Sequence, residues 1–270
     1  MQPSSTLVKN TLLKSPTDSG DYGRLTALDV QREFMEVHNP SLQSLTEAQI
    51  QEWNTHGFIL NLPLLSEEEL DAARRFFGDP SKDTAALNLH ARYSFAYDLV
   101  RHPRTLGYLK DLIGPDIVCF ISQYINKLPG SPAANHGHQD CVFNAMNVGC
   151  AIVWLALEDA DESNGSMYFV PGSHKLGVLE CDESYALKDV TPYADWVPAR
   201  VQAGHCVIMS DLLIHSSPAN PSSTRNRPGF TATYSPSRAP LIEEFAEEPI
   251  HCCGLNAPVG WHLRPRPQTD

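Results

Sequence analysis

At 270 residues, with 42% hydrophobic and 19% charged side chains, the chain has the composition of a globular protein with a sizeable core. A net charge of −12 without any run of Lys or Arg excludes a nucleic-acid footprint and disfavours an anionic membrane surface. Such a surface keeps a protein dispersed and leaves open what a small-molecule pocket would hold.

In chain order, residues 1–40 read as an N-terminal arm, punctuated by Pro, Ser, Asp and Gly in "SPTDSGDYG". Residues 41–270 read as one domain. The first residues lack the apolar core of a signal peptide, and no apolar run approaches membrane-spanning length, so a cytoplasmic location is expected. In "SLTEAQIQEWNTHGF", Thr46 and Gln49 have capping-box spacing, and Leu45, Ile50 and Trp53 form the stripe of a short helix ending at His56-Gly57. "FILNLPLL" reads as a strand. "SEEELDAARRFFG" opens on a second capping box, Ser66 and Glu69, and closes on Gly78; "PRTLGYLKDLIG" is a third helix ending at Gly114. The rest consists of short β-prone runs between Gly, Pro, Asn and Ser clusters: "DIVCFISQYINKLPG", "CAIVWLAL", "SMYFVPGSH", "ARVQAGHCVIMSD" and "PGFTATYSP". Helices followed by strands predict a mainly β fold with flanking helices packed on an antiparallel sandwich or barrel. The seven cysteines are scattered and lack C-x-x-C spacing, which argues against a disulfide framework or structural zinc.

The chemistry concentrates in "NHGHQDCVF". Two imidazoles and one carboxylate on one face of a metal ion leave its other positions open. Residues i and i+2 at a strand end share a face, so His138 and Asp140 make a close pair, whereas His136 has no carboxylate two residues on. One H-x-D is about what eleven histidines give by chance, so the rest of the chain must discriminate. Downstream, His215 ends the apolar run of "SDLLIH", and Arg227 opens the next strand, where a guanidinium could grip a carboxylate bidentately.

"HQD", "VWLALEDADESNGSMYFVPGSHKLG" and "AGHCVIMSDLLIHSSPANPSSTRNRPGFTATY", in this order, resemble the phytanoyl-CoA dioxygenase family of iron(II)/2-oxoglutarate oxygenases. "THGFILNLPLLSEEELDAARRFFG" and "LIGPDIVCFISQYINKLPG" resemble its helical entry and the strand before its metal motif. The resemblance covers about residues 45 to 240 and implies a double-stranded β-helix, a jelly-roll, cupin-like core. It implies His138, Asp140 and His215 as iron ligands, with 2-oxoglutarate and O2 as cosubstrates. Arg227 would bind the distal carboxylate, Ser217 would assist, and Gln123 and Trp154 would lie along the cosubstrate; Arg225 is the alternative to Arg227. Trp154 could instead be a core aromatic and Ser217 a turn hydroxyl. His174 and His205 are expected to be structural. Phe143, Asn144 and Asn147, and His90 with Arg92, are candidates for the substrate pocket and its mouth, against plain packing for the first three and a surface position for the last two.

The implied activity is hydroxylation of a small molecule with release of succinate and CO2. Desaturation, cyclisation or epimerisation are the alternatives, with aminophosphonate or quaternary-ammonium compounds among possible substrates. Halogenases of the superfamily lack the carboxylate that Asp140 supplies. A metal-binding sensor and a cupin-type metalloenzyme without 2-oxoglutarate are rival readings; the intact triad and Arg227 count against the first, and the second leaves Arg227 without an obvious duty.

Overall fold

The computed structural model describes residues 34, 36–143, 148–239, 248–255 and 262–269. The expected arm therefore lies almost wholly outside the described residues, as do Asn144 and Asn147.

Two helices form where their caps predict. Helix α1 (Glu47–His56) starts at the reciprocal Thr46–Gln49 capping box, buries Ile50 and Trp53, and stops at Gly57, whose φ of 85° ends the helix in the left-handed region. Helix α2 (Glu67–Gly78) starts at the Ser66–Glu69 box and buries Leu70, Ala73, Phe76 and Phe77. It includes Gly78 and ends on an extended Asp79, so that glycine is not a left-handed cap. The short helices α3 (Leu89–Arg92) and α4 (Ser94–Val100) have no counterpart in the sequence reading. Helix α5 (Pro103–Ile113) has Pro at its first position and ends at Gly114.

The strands build two facing antiparallel sheets. The larger holds β1 (Phe58–Pro63), β2 (Ile117–Lys127), β4 (Ala151–Ala156), β7 (His205–Ser210), β9 (Arg227–Pro236) and β10 (Ile250–Cys253), in the order β1-β7-β4-β9-β2-β10. The smaller holds β3 (Asn135–His138), β5 (Tyr168–Phe169), β6 (Val197–Pro198) and β8 (His215–Ser217), in the order β3-β8-β5-β6. This is the jelly-roll, double-stranded β-helix with flanking helices. One core lies between the helices and the outer face of the large sheet, where Trp53, Phe77, Leu109, Leu155 and Phe230 pack. A second lies between the sheets, around Phe58, Trp154, Phe169 and Met209, and it borders the site.

The segment leading into α1 is held by one buried carboxylate. Asp111 on α5 accepts from the backbone N–H groups of Gln43, Ser44 and Leu45, the last two at 2.8 Å. Replacing Asp111 by Ala strands these donors and should cost about 2–4 kcal/mol. Urea unfolding checks this, and a loss below about 0.5 kcal/mol would mean the segment finds other partners.

Candidate metal centre

Strand β3 ends at His138, and the chain then tightens into a 3-10 turn that begins with Asp140. The H-x-D pair thus straddles a strand end rather than lying within a strand. Strand β8 brings the third group, with His215 directly opposite His138 in the ladder and the two rings 4.2 Å apart. One ligand atom from each of His138, Asp140 and His215 falls within 4.8 Å of the others, the only such His/Cys/Asp/Glu group among the described residues.

Backbone contacts select which nitrogens face inward. His138 Nδ1 lies 2.7 Å from the His136 carbonyl, and His215 Nδ1 lies 3.0 Å from that of Leu213. A carbonyl can only accept, so both Nδ1 atoms carry the proton and both Nε2 lone pairs are free for a metal. These Nε2 atoms lie 3.2 and 3.6 Å from Asp140 Oδ1. Burial pushes the pKa of His215 down to about 4, which keeps its ring neutral. Burial works against charge at Asp140 and His138 as well, but the attraction between carboxylate and imidazoles prevails, so the first lies below and the second above its ordinary value. Two preset imidazoles and an ionised carboxylate fit a divalent metal with open positions.

Between these residues the buried Gln139 acts as a brace. Its amide donates to the carbonyls of Leu212 (2.7 Å) and Gly177 (2.9 Å), and its oxygen accepts from Leu179 N–H (2.8 Å). One side chain therefore ties the H-x-D turn to the segment before β8 and to the loop after β5.

The three residues open onto a cavity of about 720 Å³ between the sheets, also lined by Gln123, Phe143, Trp154, Ser217 and Arg227. Arg227 is buried, with its guanidinium carbon 5.3 Å from the Trp154 ring, and its Nε has no hydrogen-bond partner. Burial brings its pKa down to about 10, so it remains charged at neutral pH. Opposite it in the β2–β9 ladder is Lys127, also buried, whose Nζ donates to the Ser217 carbonyl, Ser217 Oγ (2.8 Å) and the Pro218 carbonyl. Burial, then the neighbouring Arg227, lower the Lys127 pKa to about 8. Asp140 is the only carboxylate lining the cavity among the described residues.

A family profile described as phytanoyl-CoA dioxygenase (PhyH) matches residues 53–229. The chain belongs to the phytanoyl-CoA dioxygenase family. Within curated family sequences, methylphosphonate hydroxylase of Gimesia maris is 24% identical over 226 residues, covering 75% of this chain and 85% of that protein. Phytanoyl-CoA dioxygenase domain-containing protein 1 of Danio rerio is 35% identical over 150 residues, and the match spans 50% of each. Solved structures share the fold. The non-heme monooxygenase ThoJ superposes with a TM-score of 0.66 at 23% identity, covering 82% of this chain and 88% of its own. The epimerase SnoN, in complex with Fe3+, alpha ketoglutarate and nogalamycin RO, superposes with a TM-score of 0.66 at 20% identity, covering 80% and 96%.

Not every candidate of this phytanoyl-CoA dioxygenase family member converges on the cavity. Arg225 is turned outward and committed to Asp161 (2.9 Å), Ser163 and the Asp159 carbonyl. His90 is neither at the mouth nor on the surface. It is fully buried, with Nδ1 2.7 Å from Ser122 Oγ and Nε2 2.6 Å from the Glu248 carbonyl, and it does not line the cavity. Arg92 lies on the surface, 3.9 Å from Asp83. His174 is buried against Phe34 and Gly57, and His205 begins β7 beside the Ala203 carbonyl. Sequence reasoning missed Lys127, although alternation along β2 puts it on the same strand face as the cavity-lining Ile121, Gln123 and Ile125, behind the cavity wall and beside Arg227.

Gly229 is what lets Trp154 lie across the sheet, because a Cβ there would collide with the indole edge. Gly229→Ala should lower stability by about 1–3 kcal/mol and alter the near-ultraviolet dichroism of the protein. Adding Trp154→Leu should recover part of the loss in a double-mutant cycle, and strict additivity would rule out the contact.

Proposed function

We propose that this chain is an iron(II)- and 2-oxoglutarate-dependent dioxygenase that hydroxylates a small molecule. The balance is R–H + O2 + 2-oxoglutarate → R–OH + succinate + CO2. The observation that carries this reading is the buried, incompletely partnered Arg227, on the same cavity as the His-Asp-His group and backed by Lys127. A buried guanidinium without a carboxylate partner is expensive, and a dicarboxylate reaching from the metal would relieve it.

His138, Asp140 and His215 would hold iron(II), which supplies oxygen activation coupled to decarboxylation of the 2-oxo acid. The protein's own part is placement. Arg227 and Ser217 Oγ would receive the distal carboxylate at the inner end. Lys127 holds Ser217 in place through two bonds and the adjoining Pro218 carbonyl through a third, which makes it a positioning residue. Trp154, Met167 and Met209 line the same cavity and keep water from the cosubstrate. The relatives named above carry out hydroxylation, oxygenation and epimerisation by their own titles, and of the two sequence relatives the hydroxylase matches more of this chain, 75% against 50%.

Anaerobic addition of iron(II) and 2-oxoglutarate should produce a weak visible charge-transfer absorption that needs both. Arg227→Ala should raise the 2-oxoglutarate required about tenfold to a hundredfold, as expected for loss of bonds worth about 1.5–3 kcal/mol to a charged group. Asp140→Ala should abolish the absorption at matched iron. Bound iron with no absorption in the wild type would sink the assignment.

A second expectation follows from Lys127. An anion favours its protonated form, so 2-oxoglutarate should bind best below the folded pKa of about 8 and more weakly as the pH rises through it. The drop should be several-fold, roughly tenfold at most. Lys127→Met should bind more weakly at pH 7 and lose this dependence, and a titration followed by the same absorption tests both. For folding the sign is opposite: the depressed pKa of this base makes its contribution grow as the pH rises from about 8 toward the unfolded value of 10.5.

A further inference from the structure

The outer half of the cavity is not used by the metal group, Arg227 or Trp154. It is lined by Leu87, Ile121, Ala134, Phe143 and Tyr185, with Asn88 and His136 as polar members. Leu87 and Phe143 are 55% and 39% exposed, so two large apolar side chains stand open at the rim. No Lys, Arg, Asp or Glu lines this half among the described residues, and Asn144 to Asn147, which follow Phe143, contain no ionisable residue.

The aromatic wall is a built feature. Tyr185 has a φ of 64°, a left-handed conformation that is unfavourable for a bulky side chain. A tight turn imposes it: Asp182 Oδ1 accepts from Ser184 N–H (2.7 Å), Ser184 Oγ (2.7 Å) and Ala186 N–H (3.2 Å), and Tyr185 N–H donates to the Asp182 carbonyl. Leu187 N–H then donates to the Gly137 carbonyl at 2.8 Å, fastening this loop to the strand that ends in His138. The Tyr185 ring meets Phe143 edge-on at 5.0 Å, and Phe143 lies 6.2 Å from the His138 ring. Of the three non-glycine residues with positive φ among the described residues, Tyr185 and Asn88 both line the cavity. Asn tolerates this region, so the strain lies at Tyr185, and a strained residue held at a pocket wall suits a ligand clamp.

We infer that the outer half takes an uncharged, ring-bearing small molecule, stacked on Phe143 and Tyr185, with Leu87 and Ile121 completing the apolar lining and His136 or Ser184 supplying a hydrogen bond. This rests on the reading of the inner half as the cosubstrate site. An anionic substrate such as a phosphonate would be desolvated there with no Lys or Arg side chain to meet it, because Arg227 belongs to the inner end. Offset and edge-on ring contacts, by contrast, favour a flat apolar partner.

The test uses the full chain with iron(II) and 2-oxoglutarate under anaerobic conditions, and three probes followed by calorimetry: 2-naphthol, methylphosphonate and choline. 2-Naphthol should bind saturably, and at least tenfold more tightly than either charged probe. Phe143→Ala and Tyr185→Ala should each weaken it fivefold or more, while Tyr185→Ala keeps the visible cosubstrate absorption as proof of an intact inner site. Tighter binding of methylphosphonate or choline, no binding of 2-naphthol, or naphthol binding indifferent to both variants would overturn the inference and leave the cosubstrate reading standing. Absence of the absorption in the wild type with iron bound would remove both.

Discussion

The ladder between β2 and β9 is the constraint on which the rest of the cavity depends. It runs from Ile117 opposite Pro236 to Lys127 opposite Arg227, with one irregularity near Cys119, and it sets Gln123 beside Thr231 and Ile125 beside Gly229. Side chains alternate across a sheet, so a slip of one residue in β2 would turn Gln123 and Lys127 to the opposite face and leave Arg227 without its neighbour. Strand β4 pairs with the other edge of β9 and puts Trp154 opposite Thr231, two residues from Gly229. The indole can then cross the missing side chain of Gly229 and come under the Arg227 guanidinium. Register, one glycine and one aromatic thus place a cation where the backbone alone would have left an apolar wall.

That placement makes the folded protein electrostatically incomplete. Two cations side by side in a poorly solvated region repel each other, and both have pKa values brought down by burial. Lys127 recovers part of its lost hydration from three oxygens around Ser217 and Pro218, while the Nε of Arg227 recovers none. A fold selected for stability alone would neutralise such a pair or replace it with hydrophobic residues. The carboxylate that is present, Asp140, stands with the two imidazoles instead. Opposite charges are kept at separate places on one cavity, the arrangement suited to a ligand with a carboxylate to be gripped at one end and a chelating group at the other.

How much of this could be read in advance depended on whether the signal was local. The capping boxes at Thr46 and Ser66 and the stop at Gly57 involve residues three or four apart, and they appear in the structure as the spacing predicted. The pair His138 and Asp140 is also local, but His215 reaches it through a strand pairing that no spacing encodes, and there the resemblance of ordered motifs supplied the link. His90 escaped because its partners, Ser122 and the Glu248 carbonyl, lie far along the chain, and a polar side chain ordinarily stays at the surface. Lys127 escaped for a similar reason: a lysine ending a strand looks like a solvated terminus until β9 and the segment after β8 close over it. Tyr185 was invisible because only backbone geometry shows its strain.

The two ends of the cavity also differ in how they are held, which bears on the division of labour between them. The inner end hangs on the long ladders of the large sheet and on a brace, Gln139, that joins three segments through one amide. Such a region opens only when much of the sheet opens. The outer wall sits on a loop ordered by Asp182, by the bridge between Cys181 and Leu187, by the backbone bond from Leu187 to Gly137, and by Leu187 itself, buried against Val170 and Ile214. Hydrogen bonds from the Ser184 hydroxyl and N–H hold the Asp182 carboxyl below its usual range, so a charged acceptor closes the turn. Under the proposed reading, the contacts that would position the cosubstrate sit on the sheet ladders and those that would meet the substrate sit on a loop, so the second set can change without disturbing the first. The Phe143–Tyr185 contact is where the two sets meet.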